Sequence, residues 1–504
     1  MAPKTDSSRF PDPVYKETVL KPLFDGAKAH HVDGFRRIDR AHLVMLEATG
    51  ILDRKQARDI GKALVAIDDE IDVEALTYTG EVEDFFFLIE KELKARLGPD
   101  LGGRLHTARS RNDIDHTLFK FGLKARIDPL LARLMHLIDT LIDKAEAEKA
   151  TPIVAYTHGQ PAQPSTFGHY LSALIEVLLR DAERLLAARR IVDFSPMGAA
   201  AITTTGFAID RDLTARLLGF LAPVRNSYSA IAAADYISST YGALELLFLH
   251  LGRPIQDLQF WTSFEVGQVY VPNAFVQISS IMPQKRNPVP IEHMRHLASQ
   301  TMGRARTVLD IMHNTPFTDM NDSEGETQGF GYQAFETGNR VLDLLAALVA
   351  DISIDGARVA DNIRRSCITV TELADTLVRE EGLSFRQAHE IAAHVARAVV
   401  AMGGDLGKDG FGPFQQAFAK TAGRQSAINV PRFAEIVSVE NFIAVRDRFG
   451  GPAPEAMDEA LAAYRAEAAG IRSEIGENAW REAEAADELR TRFNALIGEP
   501  DGDD

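Results

Sequence analysis

Residues 113–150 read DIDHTLFKFGLKARIDPLLARLMHLIDTLIDKAEAEKA, and their apolar spacing decides the fold. Leu123, Ile127, Leu130, Leu134, Leu137 and Leu141 recur at intervals of four and three. On a helix of about 3.6 residues per turn those positions form one continuous apolar stripe. Pro129 falls inside the pattern, so a kink or joint is expected there.

The same periodicity returns at 166–191, 230–265, 288–314 and 332–354, with short Gly- and Pro-marked connections between. Five such stretches predict an all-α chain built on a bundle of long helices. A helix of about 30 residues is about 45 Å long, more than a compact unit of this size needs. Apolar faces are therefore left for other copies, and a homo-oligomer is expected.

The flanks carry shorter patterns, such as 40–50 and 54–71 before the bundle and 373–381 after it. Ser384 to Gln387 forms a capping box that should open a helix running through Val400. The chain thus divides into an N-terminal helical domain (1–112), a central long-helix domain (113–365) and a C-terminal helical domain (366–504). The end, GEPDGDD from Gly498, is expected to fray.

Composition narrows the function. The chain has 504 residues, 45% hydrophobic and 25% charged, with a formal charge of −17. That balance disfavours a broad nucleic-acid or anionic-membrane footprint while leaving room for a small basic pocket. Cys367 is the single cysteine, so no internal disulfide forms and a reducing compartment is expected. The polar first 20 residues do not read as a secretory signal, and no apolar run reaches the roughly 18 residues of a membrane span. A cytoplasmic location is expected.

No Walker loop or dinucleotide-type glycine turn occurs. His389 and His394 stand five apart, about 140° out of phase on a helix, whereas zinc needs four. His30 and His31 have no nearby ligand set. No cofactor and no metal are expected. Arg295, Arg304 and Arg306 read as a solvated face or local ion pairs.

Three segments concentrate chemistry. LHTARSRND (105–113) places hydroxyl, guanidinium and amide groups just before a long helix, suited either to a helix cap or to binding a carboxylate. YTHGQPAQPSTFGH (156–169) fixes backbone direction around Thr157 and His158 with glycines and prolines. ISSIMPQKRNP (278–288) gathers serines, prolines, an amide and two cations, groups that can surround one small anion.

At these segments the chain resembles the aspartase/fumarase superfamily, and within it the argininosuccinate lyase branch. PMGAAAITTTGFAIDR (196–211), NSYSAIAAADY (226–236) and TELADTLVREEGLSFRQAHEI (371–391) match further blocks in order. The resemblance implies a homotetramer with a 20-helix core and active sites shared among subunits. It also implies cofactor-free β-elimination of an N-substituted aspartate to fumarate plus amine. Ser279 would be the catalytic base and Lys285 would stabilise the enediolate. His158 would stand at the leaving group with Glu292 orienting it, either protonating the amine or only positioning the substrate. Ser110, Arg111, Asn112, Thr157, Ser280, Met282 and Asn287 would bind substrate.

The chain also departs from that pattern. Ile278 stands where the signature loop normally has glycine, which should stiffen the hinge. Phe86 stands where histidine is common, and Gly159 and Pro161 replace larger or basic residues. TPFTDMNDSEGETQGFGY (315–332) lacks the tyrosine and lysines that help hold the amino-acid end of argininosuccinate. The expected substrate is therefore another N-substituted aspartate, with ethylenediamine-N,N'-disuccinate preferred and argininosuccinate the alternative. A catalytically silent crystallin-like role is the alternative from another class.

Overall fold

Ser110 starts the helix on which the bundle is built. The structure, a computed structural model, describes residues 10–498; the expected fraying after Gly498 concerns residues outside that range. Three helices lead in, α1 (Val32–Ala48), α2 (Arg54–Glu70) and α3 (Phe85–Leu97), before α4 (Arg111–Ala147) begins. A hairpin of β1 (Pro152–Thr157) and β2 (Gln160–Thr166) follows, then α5 (Phe167–Val192) and α6 (Asp235–Trp261). A second, minimal hairpin of β3 (Gln277–Ile278) and β4 (Arg286–Asn287) precedes α7 (Val289–Met312) and α8 (Gly325–Asp351).

The five expected long helices are thus present, and the chain is all-α apart from short two-stranded pairings. Their packing closes a ring: α4 contacts α5, α5 contacts α6, α6 contacts α7, α7 contacts α8, and α8 returns to α4. The six apolar residues of the α4 stripe are all fully buried. Pro129 lies within unbroken helix rather than at a joint, because α4 is held on both sides by packing and the proline removes only one ladder bond.

Helix α8 begins at Gly325, seven residues before the expected start. Glycines 325, 329 and 331 weaken the sequence signal there. At Gly331 the reason is close approach, since a Cβ would lie 2.0 Å from the Tyr241 hydroxyl of α6, and Gly122 of α4 meets Tyr332 of α8 in the same way.

After the bundle, residues Cys367 to Val437 enclose a separate apolar cluster, with α9 (Phe385–Met402) opened by the expected Ser384 capping box. The last helix, α10 (Pro454–Ile497), does not stay with that cluster. It packs back on α1, α2, α4 and α5, and Met457, Leu461, Ile471 and Phe493 join the main core. Buried Arg189 of α5 bonds Asp128 of α4 at 2.7 Å and also Glu482 of α10, while Lys124 reaches Asp193 at 3.1 Å. Such a network fixes how three helices meet, since removing one member would leave buried charge uncompensated.

Candidate active site

The start of α4 is a cap before it is anything else. The Ser110 hydroxyl accepts from the Asn112 N–H, and the Asp113 carboxylate accepts from the Ser110 N–H at 2.9 Å, a capping box. The other oxygen of Asp113 accepts from the backbone N–H groups of Gly198 and Ala200, each at 2.9 Å. Asn112 donates to the Ala201 carbonyl at 3.0 Å. One fully buried carboxylate therefore latches the PMGAAA segment onto the helix that presents Ser110 and Asn112. Burial pushes the Asp113 carboxyl up to about 6, against the lowering effect of its three N–H donors.

Arg111 is not a free guanidinium. It bonds Glu83 at 3.0 Å and Asp84 at 2.7 Å and lies over the Phe87 ring. Burial works against its charge, but these two carboxylates outweigh it and hold the proton more tightly than usual. Asp84 also caps α3, so the EVEDFFF stretch is tied to the same corner. Phe86, at the position where histidine was expected, is buried against His106 and Arg109.

The 315–332 segment folds over this corner. Asp319 lies 3.7 Å from Nε2 of His116, whose Nδ1 pairs with the Tyr236 hydroxyl at 2.9 Å. Asp115 is partly buried with Glu324, Asp84 and Asp319 around it. Burial first, then those carboxylates, drives its carboxyl well above the usual range, and Glu324 is raised for the same reasons. Sequence reading missed this group of acids. Their only signal is the unusual acidity of 81–84 and 319–326.

His158 sits at the tip of the β1–β2 hairpin, where Thr157 pairs with Gln160. His158 and Gly159 form a two-residue turn with φ of 54° and 72°, the left-handed pair such a hairpin requires. Glycine at 159 fits; histidine at 158 is strained. Thr157 and His158 are exposed beside a cleft of about 710 Å³ walled by Tyr156, Tyr170, Phe260 and Trp261.

The signature loop lies elsewhere again. Ile278 pairs with Arg286 in extended backbone and has no positive φ, so the missing glycine is not required at that position. The Ser279 hydroxyl accepts from the Met282 N–H at 3.1 Å and the Ile281 N–H at 3.4 Å, and the Lys285 N–H donates to the Met282 carbonyl. Arg286 moors the loop by donating to the Val271 carbonyl and the Asn273 side chain. Ser279 and Asn287 are half-buried, whereas Ser280, Met282, Lys285 and Glu292 are exposed.

Among the described residues no hydrogen bond or ion pair joins the Ser279–Asn287 loop, the His158 turn and the Ser110–Asn112 corner, and the expected Glu292–His158 pair is not made within the chain. No group of three metal-ligating side chains occurs among the described residues. No helix there is long and apolar enough to cross a membrane.

Comparison with known proteins places this arrangement. The family model described as Lyase matches residues 41–303, and that described as Argininosuccinate lyase C-terminal matches 367–444. Argininosuccinate lyase 2 of Agrobacterium fabrum is 70% identical over 98% of both chains. Argininosuccinate lyase of Halorhodospira halophila is 35% identical over 82% of this chain and 87% of its own. A variant of EDDS lyase with bound fumarate superposes with a TM-score of 0.84 at 26% identity, covering 97% of this chain and 96% of that one. Class II fumarase of Schistosoma mansoni, at 16% identity and a TM-score of 0.64 over 83% and 90%, shares the fold. With its matched blocks in order and its bundle intact, the chain belongs to the argininosuccinate lyase branch of the aspartase/fumarase superfamily and is a carbon–nitrogen lyase.

Proposed function

We propose that the protein releases fumarate from an N-substituted aspartate by cofactor-free β-elimination, as a cytoplasmic homotetramer whose active sites draw on several subunits. Ser279 takes the proton from the carbon beside one carboxylate, Lys285 and Asn287 face the enediolate, and His158, oriented by Glu292 of another copy, serves the departing nitrogen. Ser110, Arg111, Asn112 and Thr157 hold carboxylates, with Ser280 and Met282 lining the loop side. A serine hydroxyl becomes a base only where positive charge and exclusion of water lower its pKa, so loop closure and activation are one event. The separation of the three segments within one chain supports a shared site.

Argininosuccinate is the substrate this reading prefers, because a relative carrying that name is 70% identical along nearly the whole chain. Ethylenediamine-N,N'-disuccinate, the preference from sequence, has in its favour a structural neighbour at 26% identity. Against it stands the charge of the altered segment, where Asp319, Asp322, Glu324 and Glu326 would repel a second succinyl group. A silent structural role has no observation of its own to favour it. Incubating the protein with each substrate and following fumarate absorbance decides the matter. Faster release from argininosuccinate is expected; faster release from ethylenediamine-N,N'-disuccinate restores the other preference, and release from neither overturns the reading.

The strained turn offers a second test. His158→Gly relieves about 1 kcal/mol of left-handed strain while loosening the unfolded chain by a similar amount. Thermal unfolding should hardly move, and fumarate release should fall more than tenfold. Full activity would reduce His158 to a turn residue.

A further inference from the structure

The corner between α4 and the 315–332 segment carries more negative charge than its own cations neutralise. Glu83, Asp84, Asp115, Asp319 and Glu324 face Arg111, already bonded to the first two, and His116, whose Nδ1 is engaged by Tyr236. Asp115 has neither a hydrogen-bond donor nor an ion-pair partner among the described residues.

A second observation is independent of charge. Gln328 lies one turn into α8 from Glu324 and is 1% exposed. Its side chain turns back toward the helix start, as helical side chains do, and donates through Nε2 to the Ser323 carbonyl at 2.9 Å. Its Oε1 is buried without any partner. A buried carbonyl oxygen left without a donor is costly, and beside carboxylates it asks for an N–H-bearing cation. At the lip, the exposed rings of Tyr228 and Phe317 stack with centroids 6.0 Å apart, a surface that also suits an organic cation.

We propose that Asp115, Asp319 and Glu324, with Oε1 of Gln328, form a subsite for a second, positively charged nitrogen on the leaving amine. This rests on the fumarate-releasing reading above and specifies its amine half: a guanidine or amine bearing a further protonated nitrogen is selected over one bearing a neutral or carboxylate end. The lysines and tyrosine absent from 315–332 have then been replaced by groups of opposite sign, so the far end of the substrate is recognised by its positive charge.

The reverse reaction tests this with matched guanidines. Fumarate is supplied with arginine, agmatine, butylguanidine or 4-guanidinobutanoate, and its consumption is followed. The guanidine nitrogen bonds to one olefinic carbon, the double-bond pair takes up a proton at the other, and no oxidant or reductant is needed. Agmatine should exceed butylguanidine, and should exceed 4-guanidinobutanoate at least tenfold in kcat/KM. Asp319→Lys, at a partly exposed position, should reverse the last preference, a gain that a folding defect cannot imitate. Fumarate consumption with none of the four overturns the fumarate-releasing reading and the subsite with it. Consumption of arginine with agmatine no better than 4-guanidinobutanoate, or an Asp319→Lys variant with the original preference, overturns the subsite alone.

Discussion

Ser279→Ala is expected to lower fumarate release by about a thousandfold, within the range assigned to a positioned general base, while the unfolding temperature stays within a few degrees. The structural side of that expectation follows from the loop. The hydroxyl accepts two backbone N–H groups at a half-buried tip, bonds that water can replace, and the loop is moored by Arg286 rather than by Ser279. The chemical side follows from the absence of a substitute, since alanine accepts no proton. Steady-state fumarate formation and a melting curve on the same preparation check both. Near-normal turnover would move the base to Ser280 or beyond the loop.

Asp113→Ala should be the most damaging substitution at the α4 corner. Three backbone N–H groups, of Ser110, Gly198 and Ala200, would lose their acceptor in a buried place. Unsatisfied donors cost about 1–3 kcal/mol each, so a loss of about 3–5 kcal/mol is expected. Without the latch, the 196–201 segment no longer positions Asn112, and kcat/KM should fall about a hundredfold. The pH dependence has a definite sign. The Asp113 carboxyl is raised from its ordinary 3.8 to about 6, so its ionisation weakens the fold as pH climbs from about 4 to 6, by about 3 kcal/mol in total. Alanine abolishes that slope, and the stability gap between variant and parent should be wider at pH 4 than at pH 7. Denaturant titrations at the two pH values measure it; an equal gap would mean that the carboxylate is ionised throughout.

Local rules carried the bundle and failed where contacts are distant. Leu123 to Leu141 announce α4 because every stripe residue faces the same core. The seven missed residues of α8 are glycine-rich because Tyr241 needs the room at Gly331, which no local pattern reveals. Helix α10 was not anticipated, since its buried positions include Ala468, Asn478 and Ala485, too weakly apolar to mark a stripe. The same division runs through the site. Ser110 and Asn112 are legible from the cap they form, and Ser279 and Lys285 from the loop motif. The meeting of Asp84, Asp115, Asp319 and Glu324 is tertiary, joining α3, α4 and the segment before α8, and it is this charge that counts against ethylenediamine-N,N'-disuccinate.

A structure of the assembled protein with fumarate bound tests the mechanism most directly. The account predicts Ser279 Oγ about 3 Å from an olefinic carbon, within proton-transfer reach, with Lys285 Nζ against the neighbouring carboxylate. Ser279 and Lys285 remote from fumarate, with the loop closed over it, would contradict it.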